Sequence, residues 1–172
     1  MNIKELLTIN NVHVNEIIAL MRELDPTITV TPEMVRQTVE APGTHFFAVM
    51  DGEHIVGCAS LCVFDSPTGR KASIEDVVVS SAFRGQHLGR QLMEHVIEYA
   101  KTLAPIGLQL TSRPERVAAN ELYQSLGFQK RNTNAYRMEI PGQVRDEGER
   151  GARDKGAVDG PGTGTSTAKT RA

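Results

Sequence analysis

The sequence predicts an α/β domain in which a mixed, mostly antiparallel sheet carries helices on both faces. Three observations lead there. Strand-like β-branched runs alternate with segments whose apolar residues recur every three or four positions. An Asp51-Gly52 pair between two strand-like runs marks a hairpin. The resulting order, βααβββαβαβ, cannot bury every apolar face unless helices cover both sides of the sheet.

Taken in order, residues 3–9 are short and part-alternating, which suits a first strand. Asn10 or Asn11 then offers an N-cap for a helix bearing Val14, Ile17, Ile18 and Leu20. Thr31-Pro32-Glu33 supplies a cap and a proline at the first helical position, opening a second helix that Pro42-Gly43 ends. Residues 45–50 and 54–64 form the hairpin around Asp51-Gly52, and after the Ser66-Pro67-Thr68-Gly69 break residues 71–79 make the next strand, closing on Val77-Val78-Val79. Leu88, Leu92, Val96, Tyr99 and Leu103 lie on one helical stripe running to Ala104-Pro105. A buried strand follows at 106–111. Ser112-Arg113-Pro114-Glu115 reads as a capping box for a last helix through Ala118, Leu122 and Leu126, stopped by Gly127. Residues 128–140 then supply final strand material.

The folded domain is therefore expected at 1–140. The 32 residues 141–172 hold 7 of the 15 glycines and no Leu, Ile, Met, Phe, Tyr or Cys, so they have nothing to bury and are expected to be disordered. The longest uncharged apolar run, 55–64, is half the length of a membrane span, and Lys4 and Glu5 precede any apolar stretch, which argues against a signal peptide and for a cytoplasmic protein without a membrane partner. Nineteen basic against 21 acidic residues give no basic field for nucleic acid. Cys58 and Cys62 lie four apart on one strand, roughly 13 Å, too far to bridge. With no second Cys or His pair in metal-ligand spacing they read as ordinary buried thiols, and no metal is expected.

The stretch that carries chemistry runs from Val77-Val78-Val79 through a glycine-bearing loop into a helix beginning near Leu88. Unpaired N–H groups at a helix start, with the positive end of the helix dipole behind them, make an anion site. Gly85 and Gly89 let backbone approach a phosphate closely, and Arg84 or Arg90 adds charge. Walker A and dinucleotide-binding patterns are absent.

Downstream stand Asn120, Tyr123, Gly127 and Phe128. Together with the loop Arg84-Gly85-Gln86-His87-Leu88-Gly89, this chain resembles the GNAT superfamily of N-acetyltransferases, whose acetyl-CoA loop reads Q/R-x-x-G-x-G/A. His87 replaces the first of that motif's glycines. The resemblance covers roughly residues 3–140, and the Ile74-Glu75-Asp76 stretch followed by Arg84-Gly85 looks most like glucosamine-phosphate N-acetyltransferases.

That resemblance implies attack of a neutral amine on the thioester of acetyl-CoA. It implies a base on the strand of Glu75 and Asp76, with Glu75 favoured, a backbone donor for the oxyanion near Val78 where the family's strand bulges, and Tyr123 as proton donor to the leaving thiolate. Simple alternation would send Glu75 and Asp76 to opposite faces. It implies further that the strand pair ending at Val79 and Thr111 splays, so that the main chain of Val77, Val78 and Val79 pairs with the pantetheine arm. The loop Arg84, Gly85, Gln86, His87, Leu88, Gly89 and Arg90 would hold the pyrophosphate, and Asn120 and Tyr123 would touch the CoA arm. Arg113 and Arg116 flank the exit and would receive an anionic acceptor, or else serve as caps and surface ion pairs. The acceptor is expected to be a small-molecule amine such as an amino sugar, amine or amino acid. A protein amine, a non-catalytic acyl-CoA sensor and a nucleotide-binding module are the alternatives, and a homodimer is compatible with the family.

Overall fold

The computed structural model describes residues 1–140; the expected disordered segment, 141–172, lies outside the described residues. Residues 1–131 form one compact unit, and residues 132–140 fall outside it. That unit runs β1 (Asn2–Leu6), α1 (Asn11–Leu24), α2 (Pro32–Glu40), β2 (Thr44–Asp51), β3 (His54–Ser66), β4 (Gly69–Val79), a single 3-10 turn (Ser81–Phe83), α3 (Leu88–Thr102), β5 (Gly107–Leu110) and α4 (Val117–Ser125).

The first two helices start where their side chains say. The Asn10 side-chain amide oxygen Oδ1 accepts the His13 N–H at 2.9 Å, and the Thr31 hydroxyl oxygen accepts the Met34 N–H at 3.2 Å with Pro32 opening α2. β2 and β3 meet around Gly52, whose φ of 59° is the left-handed conformation this tight connection needs. The last helix ends on Gly127 at φ 95°, with the Phe128 N–H bonded to the Tyr123 carbonyl and the Gly127 N–H to the Gln124 carbonyl.

The sheet has five strands in the order β1-β2-β3-β4-β5, antiparallel throughout except that β5 runs parallel to β4. Strand alternation divides its side chains between two cores. Phe46, Ala48, Met50, Cys58 and Val78 pack with Val14, Ile17, Ile18 and Met21 of α1 and Val35 and Val39 of α2. Phe47, Val49, Ala59, Leu61, Ala72 and Ile74 pack on the other face with Leu92, Met93 and Val96 of α3, and α4 adds Leu122 and Tyr123 to that side. Helices thus cover both faces, as expected.

Two expectations fail. The capping box does not form: α4 begins at Val117, its N-cap residue Arg116 makes no side-chain bond to the helix start, and the Ser112 hydroxyl is buried without a partner. Residues 113–116 are held instead as a loop, because Asn120 Nδ2 donates to the Arg113 carbonyl at 2.9 Å and Arg116 Nη2 donates to the Leu24 carbonyl at 3.0 Å. The final strand is missing too. Among the described residues, 129–140 join no ladder, and Tyr136, Met138 and Ile140, the alternating apolar set that suggested a strand, are each more than 80% exposed.

Candidate active site

β4 changes character halfway along. Its parallel pairing with β5 stops at Ile74 and Leu110, while β4 continues for five more residues bonded only to β3. The strands part as expected, and among the described residues no strand pairs with the β5 side of Val77, Val78 and Val79. In the same stretch the antiparallel register slips. Cys58 stands opposite Val78 but Ser60 stands opposite Glu75, so Ala59 faces two residues, Asp76 and Val77. This is a β-bulge with Asp76 in the left-handed region at φ 54°.

The bulge reverses the strand's facing. Ile74 belongs to the α3 core, yet Val78, four residues on, belongs to the α1/α2 core. Glu75 and Asp76 consequently open into the same cleft, and the expectation of opposite faces is corrected, because a residue inserted out of register breaks the period-two rule. The cleft, about 430 Å³, lies between the sheet and α2 and is lined by Met34, Gln37, Thr38 and Ala41 above and Thr44, Ser60, Cys62, Glu75 and Asp76 below.

The two carboxylates differ in surroundings. Glu75 accepts a short hydrogen bond from the Ser73 hydroxyl. Asp76 has its surface on the open cleft, yet the protein packed around it pushes its carboxyl above the usual aspartate range; the neighbouring Glu75 charge adds to the rise and Arg116 opposes it. Arg116 also acts on Tyr123, whose phenol burial raises above the ordinary tyrosine value despite that charge. Arg116 thus lies within electrostatic reach of both Asp76 and Tyr123, although the three come from different parts of the chain. The half-buried Tyr123 ring meets Phe128 edge-on at 6.3 Å. Burial also raises the thiol pKa of the core residue Cys58 and of Cys62; both thiols are free.

Beyond Val79 the chain turns through Ser80 and Ser81 into the loop. Glu23 at the end of α1 fixes that turn, accepting the Ser81 N–H at 2.7 Å and the Ser80 hydroxyl at 3.2 Å; the bond from Ser81 holds the Glu23 carboxyl below its usual value. Arg84, Gly85, Gln86 and His87 are exposed, with Gly85 at φ 79° and His87 at φ 56°. His87 is the N-cap of α3 and makes no side-chain bond there; the first turn carries no acidic residue, so the N–H groups of Leu88, Gly89 and Arg90 meet no competing carboxylate. Gly89 faces α4, where a Cβ would come 3.8 Å from Leu122, and Arg90 reaches across to Glu94 and to the Ser125 hydroxyl at 2.6 Å.

The remaining expected residues are held by the scaffold. Arg113 Nη2 donates to Asp25 Oδ2 at 2.6 Å, Arg116 is bonded to Leu24 O, and the Asn120 amide closes the loop before α4. Asp25 is the organising group: it also accepts the Thr27 N–H at 3.0 Å and the Thr27 hydroxyl at 2.6 Å, and these bonds with Arg113 depress its carboxyl to about 2. Sequence reasoning missed Glu23, Asp25 and the α2 wall. Asp25-Pro26-Thr27 has the composition of a side-chain-capped turn and was open to detection; the wall residues Gln37 and Thr38 carried no local signal.

A parted strand pair beside an unobstructed helix N-terminus, with a carboxylate-floored cleft on the other side of the same strand, defines an α/β acyl-transfer scaffold. A model of the acetyltransferase (GNAT) family matches residues 15–128, and the chain belongs to that family. Over 90 residues it is 32% identical to N-acetyltransferase 8B of Rattus norvegicus, covering 51% of this chain and 40% of that one. Over 58 residues it is 38% identical to the [ribosomal protein bS18]-alanine N-acetyltransferase of Salmonella typhimurium, covering 34% and 39%. The chain therefore spans about two fifths of the length of these relatives. A putative acetyltransferase from Agrobacterium tumefaciens shares the fold at TM-score 0.71 and 22% identity, with 81% of this chain and 100% of that one covered. No helix among the described residues is long and apolar enough to cross a membrane.

Proposed function

We propose that this chain transfers the acetyl group of acetyl-CoA to a primary amine of a small molecule seated over Glu75 and Asp76. The observation that carries the reading is the bulge on β4: one strand offers an unpaired main-chain edge toward β5 and two carboxylates toward the α2 cleft. The residues fit acetyl-CoA. The edge at Val77, Val78 and Val79 has room for an amide-bearing arm, and the open left-handed loop Arg84 to His87 leads anionic groups onto the N–H groups of α3. Arg84, exposed on that loop, adds charge at the same end, whereas Arg90 is engaged by Glu94 and Ser125.

Acetyl-CoA supplies an acyl group already activated as a thioester. The chain's part is to orient, to deprotonate and to stabilise charge. The carboxylates of Glu75 and Asp76 draw an aminium into the cleft and accept its proton. Asp76, with its raised proton affinity, is closer in strength to an amine than an ordinary carboxylate. The Val78 N–H, expected as the oxyanion donor, is turned to β3 opposite Cys58, so the neighbouring main-chain N–H of Val79, which faces away from β3, is the one that donates to the developing oxyanion. Tyr123 keeps its proton at neutral pH because burial raises its pKa, so its phenol donates a hydrogen bond to the departing sulfur; full proton transfer to a thiolate would run uphill. Asn120, Arg113 and Arg116 serve this arrangement by holding the loop that leads into α4.

A protein amine is the second reading, supported by the ribosomal-protein acetyltransferase among the relatives. Calorimetric titration with acetyl-CoA followed by a thiol-release screen over amines, amino acids, amino sugars and peptides tests both. Saturable binding with thiol release from a small amine is the expected result. Release only with peptides would move the acceptor to a protein, binding without release would make the chain an acyl-CoA sensor, and absence of binding would refute the proposal.

A further inference from the structure

Building on the acetyl-transfer reading, we infer that the acceptor is a dication, an amine carrying a second cationic nitrogen a few bonds from the reacting one, because one cleft gathers two carboxylates and an open buried hydroxyl with no cation in its lining. A regular strand would have shown the cleft one carboxylate. The bulge shows it two, at the cost of a left-handed conformation at Asp76 that a non-glycine residue seldom adopts.

The hydroxyl is the independent observation. Ser60 is only 3% exposed and lines the cleft, yet its side chain makes no hydrogen bond to any described residue, so a buried donor-acceptor faces the place where a ligand would sit. The lining otherwise consists of neutral groups: Gln37, Thr38 and Thr44 offer amide and hydroxyl oxygens, which suit ammonium N–H donors. Arg116 acts on Asp76 from outside the lining, where its Nη2 bonds the Leu24 carbonyl, and its influence is weaker than that of burial or of Glu75. An anionic amino-sugar phosphate would face both carboxylates without a counter-charge in the lining. A monoamine would leave one carboxylate unmatched, and a dication matches both.

The roles divide by surroundings. Glu75, hydrogen-bonded by Ser73, anchors the spectator ammonium, while Asp76 receives the proton of the reacting nitrogen. The reacting ammonium first passes one proton to Asp76 and attacks as the neutral amine; the N–C bond forms as the C–S bond breaks, the second proton leaves the acylated nitrogen to solvent in the open cleft, and CoA departs as a thiolate hydrogen-bonded by Tyr123 and protonated from solvent. The product is the mono-acetylated amine with its far ammonium still charged.

The test is thiol release by the full chain with acetyl-CoA and either diaminobutane or butylamine, at equal pH and ionic strength. The expected kcat/KM for the diamine is about tenfold higher or more, and Glu75→Gln shrinks that ratio toward one. Equal kcat/KM for the two amines in the unaltered protein overturns the inference while leaving acetyl transfer standing. Thiol release from neither amine, with acetyl-CoA bound, overturns it as well, and the wider acceptor screen then decides whether acetyl transfer survives. Should Glu75→Gln fail to fold, the same ratio measured at rising salt serves: it falls if charge pairing sets the preference, and a salt-independent ratio overturns the inference.

Discussion

Gly57→Ala puts the architecture of β4 to a quantitative test. Gly57 sits on β3 opposite Val79, and a Cβ built there would meet the Val78 carbonyl oxygen at 3.0 Å, Val79 Cγ2 at 3.1 Å and Val49 Cγ2 at 3.4 Å. The closest of these is backbone, and Val49 and Val78 are buried in opposite cores, so relief requires β3 and β4 to part by a few tenths of an ångström. Overpacking of that kind costs about 1–3 kcal/mol. For a domain of this size that lowers Tm by roughly 3–10 °C. The displaced segment is the edge assigned to acetyl-CoA, so its Kd should also rise about threefold or more. Gly107→Ala on β5 is the control, because a Cβ there meets nothing closer than 3.9 Å. Thermal melting and calorimetric titration of both variants decide. If Gly57→Ala melts and binds like Gly107→Ala, then β4 is not held at its bulged position by close packing against β3, and the reasoning fails.

Tyr123→Phe should lower kcat more than it raises KM for acetyl-CoA, since the phenol acts on the leaving group; an unchanged kcat in steady-state thiol release would remove it from the chemistry. Asp25 has its folded pKa depressed to about 2 from an ordinary value near 3.8, so the stability it contributes is present above pH 4 and is lost as pH falls toward 2. Asp25→Asn should therefore lower the urea midpoint at pH 7 and leave it nearly unchanged at pH 2, a difference that equilibrium unfolding at the two pH values reads directly. Glu23→Gln, by loosening the Ser80-Ser81 turn, should weaken acetyl-CoA binding several-fold with little change in Tm, and calorimetry showing equal affinity would detach that turn from the loop's geometry.

Elements announced by local chemistry were legible in the sequence. Asn10 and Thr31 cap their helices through their own oxygens, Asp51-Gly52 turns the hairpin, and the Leu92 and Val96 stripe is buried, because each depends on neighbours within one or two turns of chain. The misses needed tertiary partners. Ser112-Arg113-Pro114-Glu115 had the letters of a capping box, but Arg113 is drawn to Asp25, 88 residues away in sequence, and the helix starts later. Tyr136, Met138 and Ile140 had the alternation of a strand and no ladder to join among the described residues.

The bulge shows why the site was only half legible. Glu75, Asp76 and Val78, the residues singled out in the sequence, lie at the bulge, but alternation predicted one carboxylate in the cleft because period two assumes an unbroken ladder. Nothing in Ile74-Glu75-Asp76-Val77-Val78 announces an extra residue; no glycine marks the left-handed position, and Asp tolerates it better than a β-branched residue would. What specifies the bulge is demand from both cores at once: Ile74 fits beside Leu92 and Met93, while Val78 fits against α1, and two side chains four apart can face opposite cores only if one residue is inserted out of register. The same insertion places both carboxylates in the cleft and leaves the following main chain free on its β5 side. Packing on two faces of one sheet thereby sets both the geometry of the cleft proposed for the acceptor and the edge proposed for the acyl donor.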